Sequence, residues 1–261
     1  MSAQPRTLRG TAWSLFQLIG PYLVMAGVLL ALWQYASNVL NPIFFPSPAK
    51  VLIAMAELHE EDLLVGNSVA SMRRILAGFL LGSVAAVPVG LLMGMSGVVR
   101  RLLNPYVGSL RFIPAIAMVI FAVSWFGDGE TAKIFLIFLA TFFIVLLNVE
   151  AGVRSVPANR MRGALCLGAT HRQVFWHVVL PSTIPNILVG MRIAMGSAFA
   201  VVISAELLSS QSGIGYLMAS SQIFLKTERI FVAVVLLGLF GFATDRLFRW
   251  LIHAFGGEYV R

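Results

Sequence analysis

Three charged residues stand where charge is costly. Arg111, Arg192 and Glu206 lie within or beside long apolar runs. An ionised side chain at membrane depth must face a bundle interior, a water-filled cavity or a counter-charge, because hydrocarbon cannot solvate it. Arg111 belongs to Ser109-Leu-Arg-Phe-Ile-Pro114, near the cytoplasmic half of its run, where the proline loosens the helix. Arg192 falls in the middle of a run, in Val189-Gly-Met-Arg-Ile-Ala194, and Glu206 closes that run at its outer end. Two roles suit such residues: salt bridges or carbonyl caps inside a bundle, or the lining of an anion's path.

Covalent chemistry has no comparable foothold. The four histidines, His59, His171, His177 and His253, all avoid the middles of the apolar runs, whereas the axial ligands of an intramembrane haem would project into a bundle. There is no GxxxxGK[ST] phosphate cradle, so the chain has no P-loop of its own for ATP, and no GxSxG elbow or HExxH zinc site occurs. The single cysteine, Cys166, allows neither an internal disulfide nor a cysteine-only metal site. No aspartate or glutamate is read at the middle of a span, which counts against a proton- or sodium-coupled secondary transporter.

A polar interruption, GALCLGATHRQVFWHVVLP over 163–181, lies between two apolar runs. Ala158 to Leu167 suits a short helix, Gly168 its stop, and Thr170 the cap of a second helix through Val178. In that second piece Val174, Phe175 and Val178 share one side, with His171, Arg172 and Gln173 at its start. An amphipathic element of this kind either lies on the membrane or fits a groove in a partner.

The elements that position these residues follow from composition. Of 261 residues 59% are hydrophobic and 11% charged, against about 25% charged in soluble domains. Six stretches are long enough to cross a bilayer as helices: about 15–36, 75–95, 105–126, 132–152, 183–205 and 230–252. Lipid offers no partner to backbone amides, so unbroken apolar runs imply helix, and the expected fold is one all-α integral membrane domain. The first run is too long for a signal h-region and is read as retained. The second span contains four glycines and Pro88, tolerated where neighbouring helices approach closely.

With the N-terminus in the cytoplasm, Arg6, Arg9, Arg100, Arg101, Arg154, Arg160, Arg162, Arg172, Arg246, Arg249 and Arg261 fall inside. Lys50, Arg73, Arg74, Lys133, Lys226 and Arg229 fall outside, among most of the carboxylates. The net charge of +8 therefore reports topology, both termini cytoplasmic, rather than affinity for nucleic acid. Ser47 is a plausible cap for a helix over 49–58 lying on the outer surface, and 153–182 is the longest cytoplasmic loop.

The loop carries a specific spacing. Permease subunits of bacterial binding-protein-dependent ATP-binding-cassette (ABC) importers have a cytoplasmic signature of E-A-A, three residues, G, nine residues, I, one residue, L-P. This chain reads Arg162-Gly163-Ala164, three residues, Gly168, nine residues, Val178, one residue, Leu180-Pro181. The stretches FFPSPAKV, SMRRILAGFLLGSVAAVPVGLLMG, NPYVGSLRFIPAIAM, WFGDGETAKI, LPSTIPNILVGMRIAMG and AEL also resemble the taurine, alkanesulfonate and nitrate branch of these permeases.

The resemblance implies the type I importer fold with six transmembrane helices and short cytoplasmic coupling helices, in the bacterial inner membrane. It implies a homodimer working with two ATPase subunits, which bind the ATP and magnesium, and with an external solute-binding protein; this chain itself would hold no cofactor. Arg162, Gly163, Ala164, Gly168, Ala169, Thr170, His171, Arg172 and Phe175 would form the ATPase-docking element. Arg162 and Gly163 depart from the signature's glutamate and alanine, so the usual glutamate contact does not carry over. The expected solute is a small anion, a sulfonate first and nitrate or bicarbonate next, with Arg111, Arg192 and Glu206 as path residues. A pyrimidine thiamine precursor, an aromatic carboxylate, a secondary transporter and a structural membrane anchor are the alternatives.

Overall fold

A stripe of small residues sets the centre of the molecule. In the computed structural model, which describes residues 8–41 and 43–256, helix α3 (Leu63–Met95) lies against helix α6 (Glu130–Ser155). Gly78, Gly82, Gly90 and Gly94 recur at multiples of four and face α6, with fully buried Ala86 completing the series. A Cβ at Gly78, Gly82 or Gly90 would come within 2.8, 2.9 and 2.8 Å of the carbonyl oxygens of Ile134, Phe138 and Leu146. Only glycine permits that approach, and close backbone packing is what binds helices where lipid removes the hydrophobic drive. Ile137 meets Gly78 and Val153 meets Gly94, so the two helices run parallel.

Helix α9 (Leu180–Ser209) completes the core, antiparallel to α6: Gly152 meets Asn186 while Gly190 meets Asn148. Ile75, Val145, Leu146, Val149, Ala198 and Val202 fill the space between the three. Helix α11 (Thr227–Gly256) packs beside them, Phe248 edge-on to Phe79 at 5.8 Å.

Helix α2 (Pro48–Glu60) starts on its serine cap, Ser47 Oγ accepting from the Lys50 N–H. It buries Val51, Ala54 and Leu58 against α11 and helix α10 (Ile214–Ile223). Helix α1 (Leu8–Val39) stands at the periphery and exposes Tyr22, Leu23, Leu29 and Leu32. It is tied in where the Trp33 indole N–H donates to the Pro46 carbonyl at 3.0 Å. Arg6 and Arg261, read as cytoplasmic charges, lie outside the described residues.

The third apolar run differs from expectation. It forms α4 (Gly97–Leu110), then a 3₁₀ turn (Ala115–Met118) leading into α5 (Val119–Phe126), with an 83° bend between the two halves. Pro114 lacks an N–H and disfavours the α conformation at Ile113. The N–H groups of Phe112 and Ile113 turn back onto Ser109 and Leu110 instead. Among the described residues five helices are individually long and apolar enough to cross a membrane, six if the bent pair counts as one. All regular structure among the described residues is helical.

Candidate functional site

The interruption over 163–181 folds as two helices about a glycine turn. Helix α7 (Ala158–Cys166) ends at Gly168, whose φ of +85° belongs to glycine's range. The Gly168 N–H donates to the Leu165 carbonyl at 3.0 Å and the Ala169 N–H to the Ala164 carbonyl at 3.1 Å, satisfying carbonyls that the helix end would strand. Helix α8 (His171–Val174) opens with a reciprocal cap. Thr170 Oγ1 accepts from the Gln173 N–H at 3.3 Å, and Gln173 Oε1 accepts from the Thr170 N–H at 2.8 Å.

The second helix does not stop at Val178 as the sequence implied. A π-helical turn over Phe175–Val179 carries α8 directly into α9, with Pro181 in the first turn of α9. Proline cannot donate to the residue four before it, and one wider turn absorbs that loss without ending the helix. Apolar helix thus runs unbroken over His171–Leu208.

One side of this element is seated on the bundle. Val174 and Val179 are buried with Val153 of α6, and Leu91, Ala164, Ala169 and Phe175 pack around them. Ala164, Ala169 and Phe175 therefore anchor the pair, while Arg162, Gly163, Gly168, Thr170, His171 and Arg172 are exposed. Leu167 is 91% exposed at the tip. Between the two helices runs a groove of about 390 Å³ lined by Ala164, Leu167, Gly168, Gln173 and His177.

The three costly charges are not brought together. Glu206, with no exposed side-chain surface, accepts from Ser71 Oγ at 2.8 Å, from Arg74 Nη1 at 2.6 Å and from the Gly215 N–H at 2.9 Å. Arg74 also forks onto Glu130, at 2.6 and 2.7 Å, and donates to the Ser212 carbonyl at 2.7 Å. Asn67 and Ser71 accept from the N–H groups of Gly213 and Ile214. A Cβ at Gly213 would collide with the Glu206 carboxylate. This clasp joins α3, α6, α9 and the turn before α10, and it occupies every charge around Glu206 with protein partners.

Arg192 is spent likewise: its Nε donates to Asp245 at 2.5 Å, and Asp245 also accepts from Arg249 at 2.7 Å. Asp245 corrects the reading that no aspartate or glutamate sits at the middle of a span, since it lies in α11 just past the middle; Glu150 lies near the end of α6. Asp245 was obscured because Arg246 and Arg249 beside it read as a cytoplasmic basic flank. Arg74 was obscured because Arg73-Arg74 reads as an exposed pair at a helix mouth, although Arg74 is 3% exposed. The available signal was Glu206 itself, a carboxylate that required a cation at the same height on another helix.

Of the three, only Arg111 has no carboxylate partner among the described residues, and it is exposed. It sits at the break between α4 and the 3₁₀ turn, its guanidinium 4.8 Å from the Phe112 ring centroid, and lines a cleft of about 290 Å³ against α6 and α9.

Helices of this order, with a glycine-turned element fused to a long inner helix, form a bundle with apolar spans and a polar tip. The family described as binding-protein-dependent transport system inner membrane component matches residues 78–256, and the chain belongs to it. It is therefore the multi-pass inner-membrane permease of an ABC importer. The taurine transport system permease protein TauC of Escherichia coli is 34% identical over 89% of this chain and 87% of its own length. The nitrate import permease protein NrtB of Synechococcus elongatus is 28% identical over 95% of this chain and 94% of its own. In fold, an inward-facing form of the MetNI methionine ABC transporter superposes with a TM-score of 0.61 at 20% identity, covering 73% of this chain and 96% of that one.

Proposed function

We propose that two copies of this chain form the membrane pathway of an importer for a small organic or inorganic anion. An ATPase subunit docks on each α7–α8 element, and an external binding protein delivers the solute. The basic residues at the α7–α8 end and the acidic ones around α2 support an orientation with both termini in the cytoplasm. The solute class rests on the resemblance to permeases named for taurine, which carries a sulfonate group, and for nitrate, each a small molecule with an anionic oxygen-rich group.

The observation that carries the coupling role is the continuity of helix from His171 to Leu208. A push on the exposed tip is transmitted along the continuous helix into α9, so ATP-driven closure of the ATPases rocks the spans between inward- and outward-facing states. The chain supplies positioning and alternating access, and the nucleotide chemistry resides in the partner.

Affinity purification of the tagged chain tests this. An ATP-binding-cassette ATPase should co-purify, and Leu167→Asp should release it while the helical circular dichroism of the permease is unchanged. An ATPase retained by both Leu167→Asp and Arg172→Glu would place the docking surface elsewhere.

A further inference from the structure

We propose that the exposed face of α11, at the α7–α8 end of the bundle, binds the phosphate of an anionic phospholipid. The site centres on Arg246, with Arg249 and Trp250 beside it. It requires only that the chain spans a membrane and is independent of the solute carried.

Depth is the first argument. Helix α11 covers Thr227–Gly256, about 45 Å at 1.5 Å per residue and longer than a hydrocarbon core of about 30 Å. Its first turn is fixed in polar surroundings, where Arg229 meets Glu61 at 2.7 Å, and the apolar run starts at the next residue, Ile230. About 20 residues cross the core, which sets its far boundary close to Arg249 and Trp250. Arg246 stands a turn inside that boundary. Its guanidinium lies 5.0 Å from the ring centroid of Phe242, so it points back toward the bilayer centre, the direction in which a helix tilts its side chains.

Charge is the second. An arginine at this depth needs an anion, because hydrocarbon cannot solvate it. Among the described residues at this end the carboxylates are Glu150 and Asp245. Glu150 meets Arg154 at 3.7 Å, and Asp245 is shared between Arg192 and Arg249. Arg192, Arg246 and Arg249 therefore have one carboxylate among them, and none is left for Arg246. A second copy of this chain would bring the same shortage to the face. A lipid phosphate, drawn inward by a turn of helix, supplies the missing charge.

The neighbours of Arg246 fit a lipid. Leu239, Phe242, Arg246 and Trp250 follow at intervals of three or four residues, form one stripe along the helix and are all exposed. From the bilayer centre outward the stripe reads apolar, cationic, then tryptophan, the order of an acyl chain, a phosphate and the interfacial belt. The Trp250 indole N–H makes no hydrogen bond to protein among the described residues and is a second donor to the headgroup. A choline headgroup would return a cation to a patch already in positive excess, so the charge complement is an anionic headgroup such as phosphatidylglycerol.

The test is native mass spectrometry of the full-length permease, purified in detergent with the subunits that accompany it and titrated with dioleoylphosphatidylglycerol or dioleoylphosphatidylcholine. Phosphatidylglycerol should bind at least about fivefold more tightly, the equivalent of one arginine's attraction to an anionic membrane surface. Arg246→Gln should remove that preference and Arg246→Lys should keep part of it. Arg101→Gln, at an exposed arginine of α4 at the same end, should leave it unchanged. Arg246 has no ion pair with protein to lose, so the subunit composition of Arg246→Gln should match wild type. Equal retention of the two lipids by wild type, an undiminished preference in Arg246→Gln, or an equal loss in Arg101→Gln overturns the site. Loss of a permease copy from the Arg246→Gln complex, in place of lipid, assigns the face to a second copy and overturns it as well.

Discussion

Glu206 shows what a buried charge does in this chain. Its carboxylate has no exposed surface and is met by Ser71, Arg74 and the Gly215 N–H, so removing it takes the shared buried acceptor from all three and leaves Arg74, only 3% exposed, with Glu130 as its one carboxylate partner among the described residues. Breaking a buried pair from one side costs about 3–5 kcal/mol. Glu206→Ala should therefore lower the melting temperature in detergent far more than Arg192→Ala, whose partner Asp245 is 29% exposed and keeps Arg249. Equal shifts would contradict the clasp. At the surface the same chemistry is gentler. Glu61 accepts from Arg229 at 2.7 and 2.9 Å, and that hydrogen bond holds its carboxyl below the usual 4.5. A depressed carboxyl contributes stability above its unfolded value and loses it as pH falls through the folded one. The difference in melting temperature between wild type and Glu61→Gln should thus be flat from about pH 8 to about pH 5.5 and shrink below about pH 4.5. A difference that grew with acidification would have the sign wrong.

At the scale of elements, two glycine uses are separable. Gly168 has open space around its Cβ position but a φ of +85°, so Gly168→Ala meets only backbone strain, about 1 kcal/mol, and should weaken ATPase co-purification while leaving permease stability nearly unchanged. Gly90 has an ordinary helical backbone but the Leu146 carbonyl 2.8 Å from where a Cβ would stand. Gly90→Val should overpack α3 against α6 and destabilise by about 1–3 kcal/mol, read in thermal unfolding with docking preserved in whatever fraction folds. The turn was legible in the sequence because its signals are local: a glycine stop, a threonine cap and a glutamine three residues later. Two features were not. The fusion of α8 with α9 depends on a wide turn absorbing Pro181, where proline ordinarily signals a boundary. The 83° bend depends on how α4 and α5 pack, although Pro114 marked its place.

For the whole molecule, the sequence was informative in proportion to how far apart partners lie. Apolar length located the helices, and the distribution of arginine supported an orientation, since both are properties of single segments. The clasp joins Arg74 to residues 56 and 132 positions away, and no spacing rule reaches that far. The consequence is a division of labour. Arg74 with Glu206, and Arg192 with Asp245, brace helices against one another, Arg111 faces the cleft, and α7–α8 presents a tip to the outside of the bundle. The central claim is that this tip receives the work of ATP hydrolysis. Its most direct test is uptake of labelled butanesulfonate into proteoliposomes containing the permease, its ATPase and its binding protein. The account predicts uptake that requires ATP, is abolished by Leu167→Asp in a correctly folded permease, and is indifferent to proton or sodium gradients. Uptake that persists without ATP, or that follows an imposed ion gradient, would contradict it.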